Sequence, residues 1–108
     1  MRRKALVPAL VLLLSAPAAF AASGDAEAGR KKSEPCKACH GEAGISVSPE
    51  FPNLAGQHAD YMIAAIKHYK NGKRKNPIMQ AQVANLSQKD ILDLTAYYSG
   101  QSGLKIKY

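Results

Sequence analysis

The chain has no tryptophan, two phenylalanines and two cysteines among its 108 residues. Two cysteines exclude an all-thiolate zinc site, because structural zinc takes four ligands. One of the phenylalanines, Phe20, falls in a leader, so Phe51 is the only phenylalanine left to a domain that is small to begin with. Long apolar runs are also missing. The run from Ala5 to Leu14, interrupted by Pro8, is shorter than the ~20 residues a spanning helix needs. It follows Met1-Arg2-Arg3-Lys4 and precedes Ala19-Phe20-Ala21, which is the order of a secretory signal peptide with cleavage after Ala21. The expected division is a cleaved leader, residues 1–21, and one mature domain, residues 22–108, exported to the periplasm with no stable membrane insertion after cleavage. An uncleaved anchor is the alternative. Arg2-Arg3 lacks the flanks of a twin-arginine signal, so export of the unfolded chain is expected.

Acidic residues are scarce as well: 8 against 15 lysines and arginines, a formal net charge of +7. Loss of Arg2, Arg3 and Lys4 with the leader reduces this to +4. So modest an excess is not the concentrated basic stripe that nucleic acid requires, and it reads as a docking feature.

What the chain does have is Cys36-Lys37-Ala38-Cys39-His40. Cys-x-x-Cys-His is the pattern of covalent haem attachment, in which each thiol adds to a vinyl group and the histidine ligates the iron. On a helical turn the three side chains fall at i, i+3 and i+4 and share one face. Zinc would need His58 or His68 as a fourth ligand, a thioredoxin-like reading would need a preceding strand, and a disulfide would close too small a loop to stabilise much. In an oxidising compartment the pair is either a disulfide or consumed by attachment, and a haem would supply the apolar centre the side chains lack.

Along the mature chain, Ser23-Gly24-Asp25 caps a helix predicted over Asp25 to Lys32, with Asp25 and Glu27 at its positive end and Arg30, Lys31 and Lys32 at the other. Gly29 offers a flat spot for a crossing helix, and Pro35 restarts the chain before the first cysteine. Residues 41–57, with Gly41, Gly44, Pro49, Pro52 and Gly56, read as an Ω-like loop covering the histidine side. A proline carbonyl there would accept the His40 Nδ1 proton, Pro52 being the first choice and Pro49 the second. Tyr61, Met62, Ala65, Ile66 and Tyr69 form a helical stripe ended by Asn71-Gly72. The Lys70 to Lys75 cluster is a solvated turn or a steering patch, and Lys37 is a second steering candidate. In Asn76-Pro77-Ile78-Met79, proline is expected to keep the segment out of a regular helix and to present Met79 as the second axial ligand, ahead of His68 and then His58. Met62 reads as core. Ser87-Gln88-Lys89-Asp90 opens a last helix with Ile91, Leu94, Thr95, Tyr97 and Tyr98 on its apolar side and Gly100 at its end. Leu104 and Ile106 in the tail are candidates to pack back. No repeat and no second haem motif occurs.

With these pieces in place, the chain resembles the small class I cytochromes c, and more closely one lobe of the periplasmic dihaem cytochromes c of the cytochrome c4 family. The likeness rests on Cys36-Lys37-Ala38-Cys39-His40-Gly41, Phe51-Pro52-Asn53-Leu54-Ala55-Gly56-Gln57, Asn76-Pro77-Ile78-Met79 and Asn85-Leu86-Ser87, and spans nearly all of the mature part. It implies an all-α fold of three to four main helices around one haem c, with the first and last helices crossing where Gly29 meets Tyr97. It also implies thioethers to Cys36 and Cys39 and axial iron ligation by His40 and Met79. The implied function is one-electron transfer between donor and acceptor complexes, without enzymatic activity. Glu34-Pro35 before the first cysteine and the want of a second lobe depart from the pattern. The rivals are a haem protein with an open sixth position, peroxidase-like or gas-binding, and a haem subunit of a larger dehydrogenase.

Overall fold

The computed structural model describes residues 2–12 and 24–103. The leader's cleavage point and the tail beyond Gly103, with Leu104 and Ile106, lie outside the described residues. Residues 2–12 have no regular secondary structure, and Leu6, Val7 and Leu10 are exposed. The remainder is helical: α1 (Ala26–Lys32), α2 (Lys37–His40), α3 (Ala59–Asn71), α4 (Pro77–Val83) and α5 (Gln88–Ser99). Short 3-10 turns at Glu34–Cys36 and Glu42–Gly44 flank α2. No strand occurs among the described residues, as the all-α reading expects, and no helix among them is long and apolar enough to cross a membrane.

Local chemistry sets the helix ends. Asp25 caps α1, its carboxylate accepting from the N–H groups of Glu27 and Ala28 at 2.9 and 3.2 Å. Gly72, at φ +82°, closes α3 in the left-handed conformation. Ser87 and Asp90 bond reciprocally at the start of α5, at 2.9 and 3.0 Å, so an aspartate does here what glutamate usually does in a capping box.

The expectation for Met79 needs correcting. Asn76-Pro77-Ile78-Met79 is not a loop: Pro77 occupies the first turn of α4, and Asn76 caps it by accepting from the N–H groups of Ile78 and Met79 at 3.0 and 3.2 Å. Proline breaks a helix only where an N–H is needed. At the first position that N–H has no partner to lose.

The fold turns on the crossing of α1 and α5. A Cβ placed on Gly29 would stand 1.9 Å from the Asp93 carbonyl oxygen and 2.8 Å from Tyr97 Cβ, so only glycine admits this approach. Beside the crossing, Asp93 is 1% exposed. Its carboxylate accepts from the Asp25 N–H at 2.8 Å, from Lys32 Nζ at 2.6 Å and from Lys89 Nζ at 3.0 Å. Lys32 also pairs with Asp90 at 2.9 Å. Leu94, Tyr97 and Tyr98 of α5 pack with Met62 of α3 into the apolar core.

Those bonds make the crossing sensitive to acid. The Asp25 N–H, then Lys32 and Lys89, hold the Asp93 carboxyl well below the usual carboxylate range. Asp90 is pushed down to about 2 by the Ser87 N–H and then by Lys32. Both groups ionise more readily folded than unfolded, where an aspartate titrates near ~3.9. Their contribution is therefore present above about pH 4 and is lost as pH falls through about 2 and below. Asp93→Asn is expected to lower Tm by ~10 °C at neutral pH. It should also make the fall in stability below pH 4 shallower than in the parent. Thermal melts across that range check both, and an equally steep variant would place the acid sensitivity elsewhere.

Candidate functional site: an apolar cleft between the cysteine turn and α4

A cleft of about 400 Å³ opens between the Cys36–His40 turn, the 50–57 loop, α3, α4 and α5. Its size falls in the ~300–1,000 Å³ range of cofactor sites. Cys36, Cys39 and His40 line it together with Pro52, Leu54, Met62, Ile66, Tyr69, Met79, Val83, Leu94 and Tyr98. A separate hollow of about 310 Å³ between Gly24, Ile63 and Leu92 holds none of the motif residues.

Each wall is built by a recognisable device. Gly41, at φ +77°, ends α2 and turns the chain so that its α-carbon lies against Ile45, where a Cβ would stand 1.9 Å from the Ile45 carbonyl oxygen. The loop folds back on the Gly44 carbonyl, which accepts from the N–H groups of Leu54 and Ala55 at 2.8 and 3.1 Å. It is tied to α5 by the Gly56 N–H, which donates to the Tyr98 carbonyl at 2.9 Å. This places the Pro52 carbonyl 2.8 Å from His40 Nδ1, the partner expected from the sequence in preference to Pro49. A carbonyl can only accept, so Nδ1 carries the proton and Nε2 keeps its lone pair free for a metal. His40 itself is buried.

Among the described residues no three His, Cys, Asp or Glu side chains gather as a metal-binding cluster, and neither His58 nor His68 lines the cleft. The zinc reading lacks its fourth ligand, and the two alternatives to Met79 are not at the site. Cys36 and Cys39 are not joined to each other. Burial pushes both the Cys36 thiol and the Tyr98 phenol up from their ordinary values.

Three features escaped the sequence reading. The Tyr98 hydroxyl is buried with no hydrogen-bond partner among the described residues. Tyr98 was legible only as part of an apolar stripe, which says nothing of its oxygen. Arg74, read as one charge of a cluster, lines the cleft. Lys70, read in the same cluster, instead donates to the Leu86 carbonyl and fixes the α4–α5 connection. The charge of Lys37 is offset by Glu34 at 3.0 Å and Glu42 at 3.7 Å, which weakens it as a steering group.

An all-helical fold whose cleft presents two unpaired cysteines, an oriented imidazole and a thioether defines a protein that binds a porphyrin covalently. The family model that agrees with this, Cytochrome c, matches residues 26–99, and the chain belongs to the cytochrome c family, the electron-transfer haem proteins. Its cofactor is one haem c, bound covalently through the thioethers of the Cys-x-x-Cys motif. Cytochrome c-554(548) of Halomonas halodenitrificans is 45% identical over 82 residues, covering 73% of this chain and 99% of that protein. Cytochrome c4 of Pseudomonas aeruginosa is 41% identical over 96 residues, covering 89% of this chain and 48% of that protein. Among solved structures, cytochrome c4 of Acidithiobacillus ferrooxidans superposes with a TM-score of 0.68 at 30% identity, over 72% of this chain and 50% of that one. The chain thus spans about half the length of the cytochrome c4 relatives it matches.

Proposed function

We propose that the mature part, residues 22–108, is an exported periplasmic electron carrier in which Cys36 and Cys39 hold the haem and His40 and Met79 are the two axial iron ligands. The observation that carries this reading is the 2.8 Å contact of His40 Nδ1 with the Pro52 carbonyl, in a cleft that Cys36, Cys39 and Met79 also line. When bound, the haem supplies the one-electron ferric–ferrous couple. The chain's residues do the rest. Pro52 fixes the histidine tautomer and ring orientation, and Asn76 and Pro77 set the first turn of α4 so that Met79 sits on the cleft wall. A thioether is a soft ligand that favours the reduced state and fills the position a small gas would need. Val83, Leu94 and Tyr98 keep water from the interior. The partners are a donor and an acceptor redox protein, with exposed Lys73 and Lys75 as candidates to steer the encounter. The chain then acts as a carrier and not as an enzyme.

The test is an absorption spectrum of the purified exported protein, with and without carbon monoxide, alongside its mass. Expected are one covalent haem, a weak sulfur-to-iron charge-transfer band in the ferric form, and no carbon monoxide binding at neutral pH. A colourless protein would refute haem attachment. Ready carbon monoxide binding would favour the open-site reading, and stable co-purification with an oxidoreductase would favour the subunit reading.

A further inference from the structure

The Tyr98 hydroxyl takes no part in holding the iron ligands, yet it is buried without a hydrogen-bond partner among the described residues, on a residue only 4% exposed. Such a group costs stability until something accepts its proton. The ring cannot carry it elsewhere. A Cβ on Gly44 would stand 2.8 Å from Tyr98 Cδ1, the Tyr97 ring lies 5.0 Å away between centroids, and the Tyr98 carbonyl accepts from the Gly56 N–H at 2.9 Å. Cys36 packs against the cluster that contains Tyr98, and both residues line the cleft. The Cys36 backbone is set by its own N–H, which donates to the Ser33 carbonyl at 2.8 Å. The two side chains also feel each other: burial raises the Cys36 thiol, and the phenol, acting as donor, draws it part of the way back. Cys39, the other attachment point, is not among the residues packed on this cluster.

Few acceptors are open to this hydroxyl once a haem is attached. The edge that meets the cysteines carries the vinyl groups, which are hydrocarbon, and the haem carboxylates leave from the opposite edge. His40 spends Nδ1 on the Pro52 carbonyl at 2.8 Å and keeps Nε2 for the iron. Ser33 gives its own proton to the Arg30 carbonyl at 2.6 Å and does not line the cleft. The sulfur of Cys36 remains. We propose that the Tyr98 hydroxyl donates to the Cys36 sulfur, holding it toward the cleft for attachment and staying bonded to the finished thioether, so that Tyr98 is a positioning residue for that bond. This rests on the haem reading given above. Sulfur is a weak acceptor, but for a buried donor a weak partner is better than none. Attachment adds the Cys36 S–H across a vinyl C=C. A carbon–sulfur and a carbon–hydrogen bond replace the S–H and π bonds, no electron is gained or lost, and Tyr98 keeps its proton throughout.

The experiment uses the purified haem-bearing protein and compares Tyr98→Phe, Ser33→Ala and Tyr97→Phe with the parent. Phenylalanine keeps the ring, and Tyr97 is buried but does not line the cleft. Alkylation of the unfolded protein with peptide mass mapping counts the molecules in which Cys36 is still a thiol. Their share is expected to rise about fivefold in Tyr98→Phe, the weight of one ordinary hydrogen bond, while Cys39 stays attached as in the parent. Tyr97→Phe should match the parent. The carbon–sulfur stretching band in the resonance Raman spectrum should shift when the parent is exchanged into heavy water, and should not shift in Tyr98→Phe. Equal loss at Cys36 and Cys39 in Tyr98→Phe, or attachment as complete as the parent's, would overturn the proposal. So would a heavy-water shift that Ser33→Ala abolishes and Tyr98→Phe retains. If Tyr98→Phe yields no haem protein, the parent decides alone: a band that shifts in heavy water supports the bond, and an indifferent one overturns it. Two thioethers in the parent leave the haem reading standing in each of these cases, whereas a parent without covalent haem overturns both.

Discussion

Met79→Ala is expected to convert a protein that excludes carbon monoxide into one that binds it, and to lower the midpoint potential by on the order of 0.1 V or more, within the ~0.8 V span that axial ligands command. Asn76 and Pro77 fix the first turn of α4, and with it the half-buried Met79 on the cleft wall. Alanine there leaves the α4 backbone intact, since Asn76 caps it through the N–H groups of residues 78 and 79 and not through the methionine side chain. On the proposed ligation, what is lost is the soft sixth ligand and the group that closes the site to small gases. Met62 provides the comparison. It too lines the cleft, but it is 6% exposed and packs with Leu94, Tyr97 and Tyr98. Met62→Ala should cost ~2–5 kcal/mol of stability, as buried truncations do, and leave the ligand set alone. Absorption spectra under carbon monoxide and redox titrations of both variants separate the two methionines. If Met79→Ala loses stability but keeps the parent's spectrum and potential, Met79 is core and another residue is the ligand.

Local rules carried the sequence reading a long way because several elements here are specified locally. The three residues of the haem motif fall on one face whatever surrounds them, Asp25 and Ser87 announce their helices by side-chain chemistry, and Gly72 ends α3 by its conformation. Pro52 was legible because a histidine held at a metal needs an acceptor, and few carbonyls in the 41–57 loop lack a competing N–H. The proline rule failed at Met79, where position within the helix mattered more than residue type. What stayed hidden depends on segments far apart in sequence. Asp93 looks like one polar residue on the surface of an amphipathic helix. Its burial follows from the approach of α1, which brings the Asp25 N–H and Lys32 to it from more than sixty residues away. Arg74 and Lys70 share a basic cluster on paper. Tertiary contacts then send one to the cleft and the other to the Leu86 carbonyl.

Gly29→Val is expected to cost ~3 kcal/mol or more, the upper end of overpacking penalties. In so small a domain this corresponds to a fall in Tm of ~15 °C or more. The milder Gly29→Ala is informative because two rules disagree about its sign. Helix propensity alone would make alanine better than glycine inside α1 by ~1 kcal/mol. Sterics oppose it: the first carbon of any side chain would stand 1.9 Å from the Asp93 carbonyl oxygen and 2.5 Å from the carbon of the same group. Backbone cannot rotate away as a flexible side chain can, so α1 and α5 must separate, and the Asp93 bonds to Asp25 and Lys32 lengthen with them. Sterics therefore win, and Gly29→Ala should be destabilising. The effect reaches the cleft because Tyr98 and Leu94 lie on α5, whereas Cys36 follows closely on α1. Covalent haem yield should fall along with Tm. Gly72 gives the contrast: a side chain there meets nothing within 4 Å, and only its φ of +82° is restrictive. Gly72→Asn should be nearly neutral, because asparagine tolerates that conformation, whereas Gly29→Asn should be as damaging as valine. Melts and haem yields of the set distinguish lack of space from backbone strain, and a Gly29→Val protein with the parent's Tm would show that the two helices do not meet as described.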